Sequence, residues 1–292
     1  PIAGQFTLDF TTGELAATAA SKEVIEYSFG EGVQLSSETT YLHLAVPAGV
    51  YDELYVTLYD AEGGVMYATV KAGDSKPLAV GKVREFSNNI VYAPSANVYV
   101  IRDKESLKGF AAAVNEAGSA YTTDALLVAD VDMTGEDWTS INWKSASGAD
   151  GGAQLATFHG NGYAIKGLTA PLFNQTSATI KGLHLVDVNI ETNITNTANR
   201  FYGALVCALK PAVTGETKVA VENCSVSGTI LINNPNYPTN QNLFLGGVVG
   251  AVYGGVVDSC VGRVNITVSK MSVDGIAKSV AVGGVVGLAT NS

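Results

Sequence analysis

The chain has 292 residues, 17 Lys and Arg against 27 Asp and Glu, a net charge of −10, and only 15% charged side chains. That length allows two domains with ample core. Cations scattered through an acidic chain argue against nucleic acid or an anionic membrane surface as partner, and no apolar run approaches the roughly 20 residues of a membrane helix.

Gly, Ala, Val, Thr and Asn set the composition, which suits strands and turns. The chain opens on Pro1 without Met, and reads as mature or trimmed. Cys207, Cys224 and Cys260 make no disulfide framework and no CxxC. They read as buried small apolar residues, with a Cys224–Cys260 bridge between stacked repeats as the alternative. His43, His159 and His184 stand far from the cysteines and from each other in sequence, so no metal site is expected.

Residues 1 to about 93 read as antiparallel β. Phe6, Leu8 and Phe10 alternate with polar residues before a turn at Thr11-Thr12-Gly13. Leu42, Leu44 and Val46 alternate up to Pro47. Leu54, Val56 and Leu58 alternate up to a turn at Asp60–Gly64, which leads into Val65–Val70. Period-two alternation places one face on a core and one in water, and several such strands suggest a sandwich. The phrase Tyr51-Asp52-Glu53-Leu54-Tyr55-Val56-Thr57-Leu58-Tyr59-Asp60-Ala61-Glu62-Gly63, with Gly81-Lys82-Val83, resembles the fimbrillin-like β-sandwich domains of Gram-negative gut bacteria. The resemblance implies a first domain over residues 1–95. Ala93-Pro94-Ser95-Ala96-Asn97 is the expected connection, since Pro94 favours extended backbone.

One helix is predicted, over about 103–117. Asp103 is its N-cap, Leu107, Phe110, Ala111 and Val114 form its apolar stripe, and Gly118 closes it. A lone amphipathic helix ahead of a repeat array suits a cap over the first repeat.

Beyond it, Ala125–Val131 reads as an apolar strand, followed by Asp132-Met133-Thr134-Gly135-Glu136-Asp137-Trp138 and then Phe158-His159-Gly160-Asn161-Gly162. Thr179–Ile190 reads as another alternating strand. Gly246-Gly247-Val248-Val249-Gly250 returns as Gly283-Gly284-Val285-Val286-Gly287, with a weaker copy at Gly203-Ala204-Leu205-Val206-Cys207. The copies start 43 and 37 residues apart. Glu222-Asn223-Cys224 likewise answers Asp258-Ser259-Cys260, 36 residues on. A unit repeating at such a period must stack on its neighbours to bury its apolar face, and short strand-like units predict a parallel β-solenoid. Glycine serves such corners by positive φ or by close backbone approach. No phosphate-loop Lys follows the glycines, which argues against nucleotide.

The order of helix, strand, Asp-rich turn, Trp, Phe-x-Gly-Asn-Gly phrase and glycine repeats resembles bacterial surface β-helices carrying GLUG motifs. This implies that residues 98–292 are a right-handed parallel β-helix. His159 stands where that family commonly has Asp, and Lys144–Ala153 is a Gly/Ser-rich insertion. The chain stops at Asn291-Ser292 without a visible cap, so either a terminal segment doubles back or the native protein continues.

Four groups of side chains are weighed as sites. Asp124, Asp130, Asp132, Glu136 and Asp137 suggest either Ca²⁺ or paired carboxylates, or else turn residues bonding backbone amides. Trp138 and Trp143 read either as core or as sugar platforms. Triad chemistry lacks a visible Ser/Cys–His–acid set. The polar loops at 191–200 and 233–242 are the remaining group, and Tyr237, Asn236, Asn240 and Asn242 are the candidate ligand-binding residues. The expectation is an all-β, non-catalytic protein at the extracellular or outer-membrane surface of a Gram-negative bacterium. It would need no cofactor and would bind a host or bacterial surface glycan or protein. A polysaccharide lyase or glycosidase, marked by carboxylates and bases on one sheet face in consecutive repeats, is one alternative. A pilus or stalk subunit whose partners are other surface subunits is another.

Overall fold

The structure is a computed structural model that describes residues 6–8, 15–17, 25, 45–50, 53–59, 65–71, 78–79, 98–118, 121–143, 156–193, 201–211, 219–233, 242–269 and 279–290. The chain divides into two compact units, Pro1–Asn97 and Val98–Ser292. Among the described residues both are built of strands apart from one helix, so the protein is all-β in class. No helix among the described residues is long and apolar enough to cross a membrane.

In the first unit, β1 (Phe6–Leu8) pairs antiparallel with β2 (Leu15–Ala17), and β3 (Glu53–Tyr59) pairs antiparallel with β4 (Val65–Lys71). Gly49 and Leu78 form an antiparallel bridge. Val46 is not in a strand; Pro47 follows it and has no N–H to give a ladder. Leu42, Leu44 and Phe10, the turns at Thr11–Gly13 and Asp60–Gly64, and the Ala93–Asn97 connection lie outside the described residues.

The second unit opens with β5 (Val98–Ile101) and α1 (Lys104–Ala117). Asp103 is the N-cap in extended conformation. It accepts from the Ser106 amide at 2.8 Å while the Ser106 hydroxyl takes the Asp103 amide at 3.0 Å, a reciprocal capping box. Leu107, Phe110, Ala111 and Val114 are the buried stripe, and Gly118 closes the helix at φ 59°. Phe110 is fully buried in an aromatic cluster with Tyr99, Tyr121, Trp143 and Phe158, centroids 5.1 to 5.9 Å away.

After the helix the chain makes five passes, and every pairing is parallel. The first sheet takes β6 (Asp124–Leu127), β9 (Thr157–His159), β12 (Thr179–Lys181), β16 (Ala220–Glu222) and β20 (Val256–Asp258), with β5 at its head. The second takes β7 (Val131–Asp132), β10 (Ala164–Lys166), β13 (His184–Asn193), β17 (Ser225–Asn233) and β21 (Val261–Ser269). The third takes β8 (Ile141–Trp143), β11 (Phe173–Thr176), β15 (Val206–Leu209), β19 (Val249–Tyr253) and β23 (Val286–Thr290). From the third pass a fourth sheet is added, with β14 (Phe201–Gly203), β18 (Asn242–Gly246) and β22 (Ser279–Gly283). Inward residues form continuous columns. Phe158, Ile180 and Val221 stack in the first sheet, and Leu185 and Val226 in the second, all buried. Such burial is worth about 1.5–3 kcal/mol per large apolar side chain.

Two stretches expected as single strands, one apolar and one alternating, are each broken by a corner. Ala125–Val131 divides between β6 and β7, and Thr179–Ile190 between β12 and β13. In the second stretch period two is interrupted at the corner, where Lys181 and Gly182 together separate the buried Ile180 from the buried Leu183. Gly182 (φ 58°), Asn223 (φ 53°) and Ser259 (φ 50°) hold that corner in the last three passes, followed by Leu183, Cys224 and Cys260.

The glycine phrases stack in register. Gly203 pairs with Gly246 and Gly246 with Gly283, while Val206 pairs with Val249 and Val249 with Val286. Their reason is close approach rather than positive φ, since none of these glycines has φ above zero. A Cβ on Gly250 would sit 2.6 Å from the Tyr202 nitrogen, and one on Gly287 would sit 2.7 Å from the Leu245 nitrogen. Each contact is with the fourth-sheet strand of the preceding pass. The fourth sheet begins at β14, so the equivalent position on β15 has no such strand before it. There the residue is Cys207, which explains the weaker first copy.

Candidate functional site

The acidic group near the start of the array does not converge. Asp124 Oδ1 accepts from the Thr157 amide at 2.7 Å and Asp130 Oδ1 from the Ala164 amide at 2.8 Å, each on the following pass. Asp132 Oδ1 accepts from the Thr134 amide at 2.9 Å, a local Asx turn, and bonding to Thr134 lowers its pKa. Glu136 accepts from Lys104 Nζ at 2.6 Å and Lys108 Nζ at 2.5 Å, and these bonds hold its carboxyl down to about 2. Among the described residues no group of three His, Cys, Asp or Glu could hold a metal ion. Both tryptophans are core. Trp138 Nε1 donates to the Pro171 carbonyl and Trp143 Nε1 to the Tyr121 carbonyl, each at 3.0 Å. Neither can serve as a sugar platform.

The second sheet carries a different surface. β13, β17 and β21 are nine or ten residues long, and their outward side chains fall into ranks across three passes. Asn189, Thr229 and Asn265 form one rank, Glu191, Leu231 and Thr267 the next, and Asn193, Asn233 and Ser269 a third. Thr229 Oγ1 donates to Asn189 Oδ1 at 3.0 Å, Asn233 Nδ2 to Glu191 Oε1 at 2.8 Å, and Ser269 Oγ to Asn233 Oδ1. These bonds hold amides and hydroxyls in fixed directions about 4.8 Å apart, the spacing of adjacent strands. A bulge at Asp187, with φ 51°, offsets the register between Leu185 and Val188 and separates this field from the start of β13.

Residues 194–200, 234–241 and 270–278 connect β13 to β14, β17 to β18 and β21 to β22. The loops expected at 191–200 and 233–242 begin later than the sequence suggested, because Glu191–Asn193 and Asn233 continue the paired strands β13 and β17; the rest of both loops, apart from Asn242, lies outside the described residues. Tyr237, Asn236 and Asn240 lie outside the described residues. Asn242 is placed as the first residue of β18, paired with Ser279. Sequence reasoning missed an aromatic group formed by β14, β18 and β19. Phe201 and Phe244 stack at 5.7 Å and 18°, Tyr253 meets Phe201 edge-on at 5.6 Å, and Lys210 Nζ lies 5.0 Å from the Tyr253 ring centre. All three rings are half-buried.

The first sheet also gathers chemistry that the sequence reading did not see. His159, Lys181, Glu222 and Asp258 occupy one column on four consecutive passes. Lys181 Nζ pairs with Glu222 Oε2 at 3.1 Å, and His159 Nε2 lies 3.9 Å from Asp124 Oδ2. The matching phrases Glu222-Asn223-Cys224 and Asp258-Ser259-Cys260 contained the signal for the last two members. His159 and His184 lie on different sheets, and His184 Nδ1 is 2.8 Å from Ser225 Oγ. A hydrolytic triad also needs an acid that orients the imidazole; Asp124 is the acid near His159, with its other oxygen, Oδ1, held by the Thr157 amide.

No family model matches the chain, and no curated protein does. A solved structure described as "a putative immunoglobulin A1 protease" from Bacteroides ovatus is similar at 16% identity, over 66% of this chain and 62% of that one, with a TM-score of 0.42. The chain thus spans less than two thirds of that neighbour, and a likeness at this level says nothing of its activity.

Proposed function

We propose that residues 98–292 are a right-handed parallel β-helix of the GLUG type behind a fimbrillin-like β-sandwich in residues 1–95. On this reading the protein is a non-catalytic, adhesin-like binder of a glycan at the outer-membrane surface of a Gram-negative bacterium. The observation that carries the binding role is the polar field of the second sheet. Asn189, Thr229, Asn265, Asn193, Asn233 and Ser269 offer uncharged donors and acceptors at a regular spacing, with Asn189, Thr229, Asn233 and Ser269 oriented by hydrogen bonds. Sugar hydroxyls are recognised by such groups, and a repeating ligand can meet a repeating surface with avidity. Phe201 and Phe244, which open or lie in the strands after residues 194–200 and 234–241, and Tyr253 at the end of β19 add half-buried rings. The test is a glycan array with the purified protein, with and without Ca²⁺. Specific binding that is lost when residues 234–241 are replaced by Gly and Ser is the expected result. Shortening of a bound polysaccharide would overturn the non-catalytic reading.

One observation favours that second reading. The column of His159, Lys181, Glu222 and Asp258 brings acids and bases onto consecutive passes of one sheet, the arrangement named above as the mark of a polysaccharide-active enzyme. Turnover abolished by Glu222→Gln would establish it.

A further inference from the structure

Cys224 and Cys260 are the same position on adjacent passes. Glu222 pairs with Asp258 and Ser225 with Val261 around them, and the Val261 amide donates to the Cys224 carbonyl at 2.9 Å. Each follows a positive-φ residue, Asn223 or Ser259. Each thiol lies over the strand one pass earlier. Cys224 Sγ is 3.9 Å from the Ile180 carbonyl, and Cys260 Sγ is 3.4 Å from the Val221 carbonyl. The two environments are therefore one environment repeated one pass apart, with the two side chains within hydrogen-bonding reach of each other. In-register parallel neighbours lie about 4.8 Å apart, within the Cα separation of about 4.4–6.8 Å that a disulfide spans. Both are free thiols in this structure.

We propose that Cys224 and Cys260 are a redox-active pair that closes to a disulfide between passes by exchange with a small-molecule disulfide. Cys260 is the attacking member. It is partly exposed, while Cys224 is buried. A hydrogen bond from Cys224 lowers the Cys260 pKa, and burial raises that of Cys224. The Cys260 thiolate attacks one sulfur of the small disulfide and releases one small thiolate, leaving a mixed disulfide on Cys260. Cys224 then gives up its proton and attacks the Cys260 sulfur. A bond forms between the two cysteines, and the second small thiolate leaves. The net change is two protein thiols and one small disulfide to one protein disulfide and two small thiols. Excess small thiol runs the exchange backwards. Cys207 takes no part. It is fully buried, its thiol is pushed up to about 12 by that burial, and its partner position on the next pass is Gly250.

The test treats the folded, reduced protein with oxidised glutathione, then denatures and alkylates it and weighs it intact. The expected product has lost two hydrogens, carries no glutathione and takes up one alkyl group, at Cys207. Cys224→Ser should instead stop at a stable glutathione adduct on Cys260. Cys260→Ser should form neither adduct nor bridge, and Cys207→Ser should still close. Three alkylated cysteines in the treated wild-type protein, a persistent glutathione adduct on it, or a bridge that includes Cys207 would each overturn the proposal. Those wild-type outcomes need no variant to fold.

Discussion

A Cβ placed on Gly250 would lie 2.6 Å from the backbone nitrogen of Tyr202, and both atoms belong to strands with no freedom to part. β19 is bonded in register to β15 and β23, and β14 to β18. Gly250→Ala should therefore cost at least the 1–3 kcal/mol typical of overpacking. Gly284 is the control. A Cβ there meets nothing within 4 Å and its φ is not positive, so Gly284→Ala should stay within about 0.5 kcal/mol of wild type. Denaturant midpoints of the two variants, measured side by side, decide the matter. Equal losses would mean that the sheets do not approach as described.

Phe110 joins the helix to the first passes. Its ring meets Trp143 edge-on at 5.1 Å and Phe158 at 5.9 Å, and it has no exposed surface. Truncation to Ala would leave a cavity among four aromatic rings, at a cost of about 3–5 kcal/mol. Circular dichroism on heating should show an earlier transition, with increased dye binding at the uncapped end. A wild-type melting curve for Phe110→Ala would mean that the helix does not cap the array.

The helix was legible residue by residue because cap, stripe and stop all fall within one short segment. Strand content and stacking were legible from the glycine phrases, whose near-constant period reports the length of a pass. The corners were harder to read. At Asn223 and Ser259 a polar residue takes positive φ where Gly182 does so on the earlier pass, so no shared residue type marks the bend. The His159, Lys181, Glu222 and Asp258 column was hidden for a related reason. Its members are 22, 41 and 36 residues apart in sequence, because loops of different length intervene between passes of equal rise. Register, which only pairing reveals, aligns them.

Glu136 gives the cap a pH dependence. Its hydrogen bonds to Lys104 and Lys108 hold its carboxyl at about 2 in the folded chain, against 4.5 as the ordinary value. A depressed folded pKa stabilises the fold above the ordinary value, and that contribution is lost as pH falls through the folded one. The window is therefore from about pH 4.5 down to about 2. The group is solvent-facing, so the effect is small and screened by salt. Melting temperatures of wild type and Glu136→Gln should differ above that window and converge at its acid end. A constant difference across all pH values would show that the two lysines do not hold the carboxylate.

The two candidate surfaces make opposite demands on mutants. On the proposed reading the polar field of the second sheet acts by binding alone, so Asn189→Ala with Asn265→Ala should abolish glycan capture. Both side chains are exposed, and neither change should move the melting temperature by more than a degree or two. Glu222→Gln removes the partner of Lys181 on the first sheet, 3.1 Å away, and should leave glycan capture intact. If capture instead survives the paired asparagine change and falls with Glu222→Gln, the ligand lies on the first sheet. The same protein should then be assayed for chain shortening of that ligand, since acids and bases in one column would be positioned to act on what they hold.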